Sequence, residues 1–234
     1  MTLRNTFDAH RGRYTGKIDH FYDIYENHFA RFRGTAVKLL EIGVHRGGSL
    51  EMWRNYFGPD AELHGLDINP AARVEAPEDC EIHLGSQDDP EFLKQVMDEH
   101  GPFDIVIDDG SHQMDHQICS FETIYPRLAP RGLYVCEDAF TSYWREFGGA
   151  VGADHTFVEY AKRLIDELHA YWAGDDGLTP TEFTRSTAGI HFYSGTIIFE
   201  RRPMEEPFYA VRTAKGLTRT SIADLKRAAA PKAD

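Results

Sequence analysis

The stretch VIDDGSHQMDH, residues 106–116, sets Asp108, Asp109 and Asp115 beside His112 and His116 directly behind an apolar run. A second acidic pair, Glu137 and Asp138, ends a later apolar run, GLYVCEDA. If these runs are neighbouring strands, Asp108, Asp109, Glu137 and Asp138 converge at one rim. Uncompensated, such anions repel and some are driven to protonate, so the pattern implies a cation. A hard divalent ion suits oxygen ligands, Mg²⁺ before Ca²⁺ or Mn²⁺. His112 follows the Gly110 turn by two residues, and an imidazole that titrates near neutrality suits a general base. His116, one helical turn further on, reads as structural. Two other readings stand beside this one: acids that cap helices or form surface pairs, and a non-heme iron held by His112, His116 and a carboxylate.

The elements that must position these residues alternate. The runs 37–44, 62–68, 81–86, 103–110 and 132–139 read as strands separated by helical patterns, at βαβ spacing. GIHFY and TIIFERR, separated by Ser194 and Gly195, read as a closing hairpin. The pattern predicts a Rossmann-like, doubly wound seven-stranded α/β sheet, mostly parallel with an antiparallel C-terminal hairpin strand. Helices are expected to start at Ser49, at Asp89 with Pro90 in first position, and near His112, with a long one over about 154–173. An amphipathic helix carries Phe21, Tyr22, Tyr25 and Phe29. The expected organisation is a flexible lead over 1–15, one domain over 16–220 and a frayed tail over 221–234.

At 234 residues and a formal net charge of -13, the chain has no Lys/Arg cluster to offset repulsion from a phosphate backbone, which argues against nucleic acid. A small or neutral substrate, or a cationic cofactor, is easier to accommodate. Cys80, Cys119 and Cys136 are unpaired in number and lack CxxC spacing, as expected in a reducing cytoplasm. No apolar run approaches a membrane span and the N-terminus has no leader pattern, so the expectation is a soluble, untargeted protein. Homo-oligomerisation is left open.

Ligands of open α/β sheets bind outside the carboxyl ends of the strands. The first end, EIGVHRGGS, offers Gly43, Gly47 and Gly48 for a sharp turn against a ligand. It lacks G-x-G-x-x-G spacing and a P-loop lysine, which lowers NAD and ATP and leaves an adenosine ligand that needs no phosphate cradle. Asp67, about twenty residues on, is placed to accept ribose hydroxyls, and Ser86 and Gln87 could meet an adenine edge. FTSYWREFGGAVGADH, with aromatics and three glycines, has the composition of a mobile lid.

Taken together, LLEIGVHRGGSL, GLDI, IDDGSHQMDHQ, RGLYVCED and TSYW resemble the class I S-adenosylmethionine-dependent methyltransferases, specifically the Mg²⁺-dependent sugar O-methyltransferases of macrolide, polyketide and polysaccharide tailoring. The resemblance covers roughly residues 16–200, and DDGSH with a later ED is its specific part. It implies S-adenosyl-L-methionine and Mg²⁺ as cofactors, with Asp109, Glu137 and Asp138 on the metal and His112 as base. Glu41 and Gly43 would line the methionine end, Asp67 the ribose, Ser86 and Gln87 the adenine side, and Asp108 would face the cofactor. A saccharide or glycoside hydroxyl is the implied acceptor. The macrolide enzymes carry a sizeable N-terminal auxiliary domain where this chain shows only the helix around Tyr22 and Tyr25, so the acceptor is not copied from them. Cephalosporin-hydroxylase-type sequences share the glycine loop, but the DDGSH and ED elements favour the sugar enzymes. A non-catalytic S-adenosylmethionine-binding protein would leave the rim carboxylates dispensable.

Overall fold

The structure, a computed structural model, describes residues 1–173 and 177–229. Each apolar run forms a strand trimmed at its ends: β1 (Lys38–Ile42), β2 (Glu62–Asp67), β3 (Glu81–Leu84), β4 (Ile105–Asp108) and β5 (Leu133–Cys136). The hairpin follows as β6 (Thr187–Tyr193) and β7 (Thr196–Arg201), turned at Ser194 and Gly195, where φ is 84°. The seven strands form one sheet in the order β3-β2-β1-β4-β5-β7-β6. The first five pair in parallel, and β7 runs antiparallel to both β5 and β6.

The helices are α1 (Leu3–Ala9), α2 (Phe21–Phe29), α3 (Gly48–Phe57), α4 (Ala72–Glu75), α5 (Pro90–His100), α6 (Met114–Ile124), α7 (Phe157–Leu168) and α8 (Glu182–Ser186). Asp89 caps α5 by accepting from the backbone N–H groups of Glu91 and Phe92, with Pro90 in the first turn. The long helix expected over 154–173 is shorter: Thr156 caps α7, which ends at Leu168 before a single 3₁₀ turn, Ala170–Trp172. Ser49 does not cap α3. Gly47, left-handed at φ 70°, takes that place and frees the Ser49 hydroxyl for other use.

Strand side chains alternate between faces, and the sheet sorts them accordingly. Leu39, Ile105, Ile107, Leu133 and Val135 face one core with Phe21, Tyr25, Phe29 and Trp53 of α2 and α3. Leu40, Ile42, Val106, Tyr134 and Cys136 face the other, against Leu93, Phe121, Phe157 and Phe199. Both faces of the sheet are thus covered, as nearly continuous apolar strands require.

Both expected tails are corrected. Residues 1–15, expected to be flexible, contain α1, whose Leu3 is fully buried in the first core and whose Thr2 hydroxyl accepts from the Asn5 N–H. The physical reason is that only Leu3 and Phe7 anchor this short helix, too short a signal to show as periodicity. Of the expected tail over 221–234, residues Ile222–Ala229 form α9, and 230–234 lie outside the described residues. Before it, β8 (Phe208–Thr213) and β9 (Gly216–Ser221) pair as a separate exposed hairpin that the sequence reading did not assign. Because α1 is held through Leu3, Leu3→Ala should lower the unfolding free energy by about 2 kcal/mol, the low end for a buried leucine. Urea denaturation measures it, and an unchanged midpoint would mean that α1 is not part of the cooperative fold.

Candidate active site

The chain leaves β1 for β2 and β3 on one side and returns to β4 on the other, so the carboxyl ends of β1 and β4 flank a topological switch point. A cleft of about 490 Å³ opens there, lined in part by Gly43, Asp67, Ser86, Gln87 and Asp109, a volume ordinary for small-ligand sites. Gly43 is left-handed at φ 93°, and a Cβ there would overlap the Asp109 carbonyl, so the first loop and the β4 end close on one another only with glycine. A smaller adjoining cavity lies between this loop and residues 14–17, and a Cβ on Gly48 would overlap the Tyr14 carbonyl. The N-terminal segment is therefore packed directly onto the glycine loop.

Pleat parity decides where the acids go. Glu41 lies on the same side of β1 as Leu39, while Asp109 and Glu137 continue the parity of Ile107 and Val135, so all three carboxylates fall on the first-core face. Lys17, on the segment entering α2, meets them there. Its Nζ lies 2.5 Å from Asp109 Oδ2, 2.8 Å from Glu137 Oε1 and 3.4 Å from Glu41 Oε1, with the lysine side chain only 3% exposed. Burial alone would lower the Lys17 pKa, but Asp109, Glu137 and Glu41 outweigh it and hold the ammonium well above an ordinary lysine. Glu137, fully enclosed, is pushed up to about 8 by burial and by Asp109, with Lys17 opposing. Burial likewise raises Glu41, whose Oε2 accepts from the Ser49 hydroxyl at 2.6 Å.

Lys17 was missed in the sequence, and a signal for it existed. Three acids of one parity on adjacent strands need a cation on that face, and the nearest lysine ahead of α2 is Lys17.

Asp108 was expected to face the cofactor, and this is corrected. It has the opposite parity and is fully buried, accepting from Ser120 Oγ at 2.6 Å, Tyr134 Oη at 2.8 Å and Gln87 Nε2 at 3.0 Å. Burial raises its pKa and these three donors oppose the rise. Gln87 lines the cleft, but its amide is engaged on both sides: Nε2 donates to Asp108 and Oε1 accepts from the Ser111 N–H at 2.6 Å. It buttresses the wall through both ends of its amide. Ser86 also lines the cleft, with its hydroxyl turned to Asp88. Asp67 clasps the first loop, accepting the N–H groups of Val44 at 2.9 Å, His45 at 3.0 Å and Asn69 at 2.8 Å. A carboxylate has about four acceptor positions, so one remains for a ligand hydroxyl.

The structure brings Asp109, His112 and Asp138 together, with one ligand atom from each within 4.8 Å of the others. Glu137, expected among them, instead faces Lys17 and Tyr25. His112 Nε2 is 3.6 Å from Asp138 Oδ2, while Nδ1 is buried with no hydrogen-bond partner among the described residues. Both residues are left-handed, His112 at φ 58° and Asp138 at φ 50°. For residues other than glycine this costs of order 1–3 kcal/mol each, a strain that proteins concentrate at working sites. Thr141 holds both turns, donating to Asp138 O at 2.8 Å and to His112 O at 3.3 Å. The segment expected as a mobile lid is built of 3₁₀ turns at Ala139–Tyr143 and Arg145–Phe147, and Phe147 packs edge-on against the His112 ring. His116 does not join the group: its ring nitrogens meet Ser111 Oγ at 2.9 Å and Asp88 Oδ2 at 3.3 Å. One iron held by both histidines finds no support in this placement.

Residues 40–139 match the model of a methyltransferase domain family. The chain is 41% identical over 208 residues to the 8-demethyl-8-(2-methoxy-alpha-L-rhamnosyl)-tetracenomycin-C 3'-O-methyltransferase of Streptomyces olivaceus, covering 82% of this chain and 52% of that protein. It is 36% identical over 220 residues to the mycinamicin VI 2''-O-methyltransferase of Micromonospora griseorubida, covering 88% and 55%. Its backbone superposes with a TM-score of 0.78 on a methyltransferase of the mycinamycin biosynthetic pathway, MycE, solved with Mg and SAH, at 34% identity and covering 87% of this chain and 55% of that one. The chain belongs to the class I S-adenosylmethionine-dependent methyltransferases, in the branch of the macrolide and polyketide sugar O-methyltransferases. It spans about half the length of the curated relatives it matches.

In this methyltransferase the Lys17 contacts hold the N-terminal segment to three strand ends. Lys17→Met leaves those buried carboxylates without their cation, and unfolding free energy at neutral pH should fall by about 3–5 kcal/mol. A loss below about 1 kcal/mol in chemical denaturation would show that the cluster carries no such weight.

Proposed function

We propose that the protein transfers a methyl group from S-adenosyl-L-methionine to a hydroxyl of a saccharide or glycoside, with Mg²⁺ at the acidic rim. The observation that carries this is the joining of a cleft at the switch point to the Asp109–His112–Asp138 group through Asp109, which lines the cleft itself. The solved relative with Mg, SAH and mycinamycin VI, 32% identical with a TM-score of 0.79, supports the reading.

The residues present fit a divalent ion. Asp109, Glu137 and Glu41 surround one ammonium and Asp138 stands beside Asp109, so the rim carries more carboxyl groups than Lys17 can neutralise. Oxygen donors favour Mg²⁺ over softer metals. Asp109 and Asp138 would hold it, with Glu137 as the third carboxylate on the Lys17 side. Bound there, the ion would lower the pKa of an acceptor hydroxyl. Gly43 and the loop after it let the cofactor's methionine end approach the backbone, and Asp67 offers its remaining acceptor position to the ribose. His112 would meet the acceptor through Nε2, since Nδ1 is buried, and take the hydroxyl proton there as the oxygen attacks the methyl carbon, the sulfur–methyl bond breaking so that S-adenosylhomocysteine leaves with the electron pair. Asp138 beside Nε2 stabilises the imidazolium that results. The aromatics Tyr143 and Trp144, each about half exposed, offer an apolar wall for the acceptor's ring face. Three unpaired cysteines suit a cytoplasmic setting, which we include in the proposal. Among the described residues no helix is long and apolar enough to cross a membrane.

The test is transfer of labelled methyl from S-adenosyl-L-methionine to a panel of deoxysugar-bearing polyketide glycosides. Transfer should vanish on chelation and return with Mg²⁺; transfer at full rate in chelator would remove the metal from the proposal. His112→Ala should lower kcat by about 10²–10⁴ while S-adenosylhomocysteine binds as before, and an unchanged kcat would reject the base.

A further inference from the structure

A second set of ligand atoms lies on the far side of the sheet's edge, away from the cleft. His64 on β2, His83 on β3 and His100 at the end of α5 bring one ring nitrogen each within 4.8 Å of one another. His64 Nδ1 and His83 Nε2 are 3.0 Å apart. Glu81 Oε2 stands 3.5 Å from His100 Nδ1 and 3.7 Å from His64 Nδ1. The three rings contact one another, and His64 lies edge-on over the buried Phe103. We propose that His64, His83 and His100, with Glu81 as a fourth donor, form a binding site for Zn²⁺ or a similar first-row transition ion.

Three features carry it. Tetrahedral zinc with Zn–N near 2.0–2.1 Å sets its donors about 3.3 Å apart, and the His64–His83 pair is already near that spacing. Glu62 Oε1 accepts from His64 Nε2 at 2.9 Å, and Lys38 Nζ holds the same carboxylate oxygen at 2.7 Å. That bond fixes the His64 tautomer with the proton on Nε2, so the Nδ1 lone pair is turned into the cluster, the arrangement by which carboxylates orient metal-binding histidines. Two of the rings are also held toward the neutral form: burial first, then the neighbouring imidazoles, lower His83 to about 4, and burial lowers His64. Neutral imidazole is the form that ligates.

The donor set separates this site from the catalytic rim. Imidazole nitrogens select zinc, nickel, copper or cobalt, whereas the rim's oxygens suit Mg²⁺. His64 precedes Asp67, which lines the cleft, by three residues of β2, so the histidine cluster lies about 10 Å from the cleft along that strand. The site ties edge strand β3 to β2 and to the last turn of α5, so the bound ion should act as a structural staple. Its stabilisation would grow with free metal concentration.

The full chain, stripped by chelating resin and dialysed against Zn²⁺ in excess Mg²⁺, is analysed for bound zinc and for Tm. The wild type should retain one more zinc per chain than the His83→Gln/His100→Gln double variant, and only the wild type should gain Tm with zinc. Glu62→Gln, which leaves every proposed ligand in place, should weaken zinc binding by about 10–100-fold. Equal zinc content and equal Tm shifts in wild type and double variant would overturn the site. So would loss of the zinc through His191→Gln, which would place it on the separate His28–His191–Glu200 group.

Discussion

One buried ammonium organises the rim. Unit charges about 3 Å apart interact by about 5–6 kcal/mol at an effective dielectric near 20, while each buried ion loses several kcal/mol on leaving water. Asp109, Glu137 and Glu41 together outweigh the burial that would otherwise drive the Lys17 ammonium to lose its proton. The three come from the ends of β1, β4 and β5, so the contact pins the segment before α2 to all of them at once. The glycine loop, the smaller cavity and the path to α2 all depend on where that segment lies.

From this constraint follows a division of labour that two adjacent aspartates make visible. Asp109 turns toward Lys17 and the cleft, and Asp108 turns into the opposite core, where three donors hold it. The same pleat separates Glu137 from Asp138. Strain then accumulates where the chain must leave the strands and still aim side chains inward, at His112 and Asp138, and Thr141 braces both turns.

Much of this was legible in the sequence. The sheet could be read because each strand of four to seven residues is bounded by polar or glycine punctuation, and because a Ser194–Gly195 pair can only turn a hairpin tightly. Strand ends alone placed Asp108, Asp109, Glu137 and Asp138 at one rim with His112 close by, and of these Asp109, Asp138 and His112 meet. What escaped was parity and partnership. Asp108 and Asp109 look equivalent until the strand face is assigned, and Gln87 looks free until Asp108 and Ser111 claim its amide. Lys17 lies 92 residues from Asp109, and the need for a cation on that face becomes visible only once parity is assigned. Leu3 and Phe7 dock α1 through a single i, i+4 pair, below what periodicity detects. The exposed β8–β9 hairpin has little apolar alternation to mark it.

The central claim is that negative charge left over after Lys17 holds a divalent ion, leaving His112 free to move a proton. Crystals grown with S-adenosylhomocysteine and Mn²⁺ in place of Mg²⁺ test it through the anomalous signal of manganese. The expected result is one peak bounded by the carboxylates of Asp109, Glu137 and Asp138, with His112 Nε2 uncoordinated and Lys17 still paired to Glu41. A peak ligated by His112, or no peak at the rim, would contradict the account.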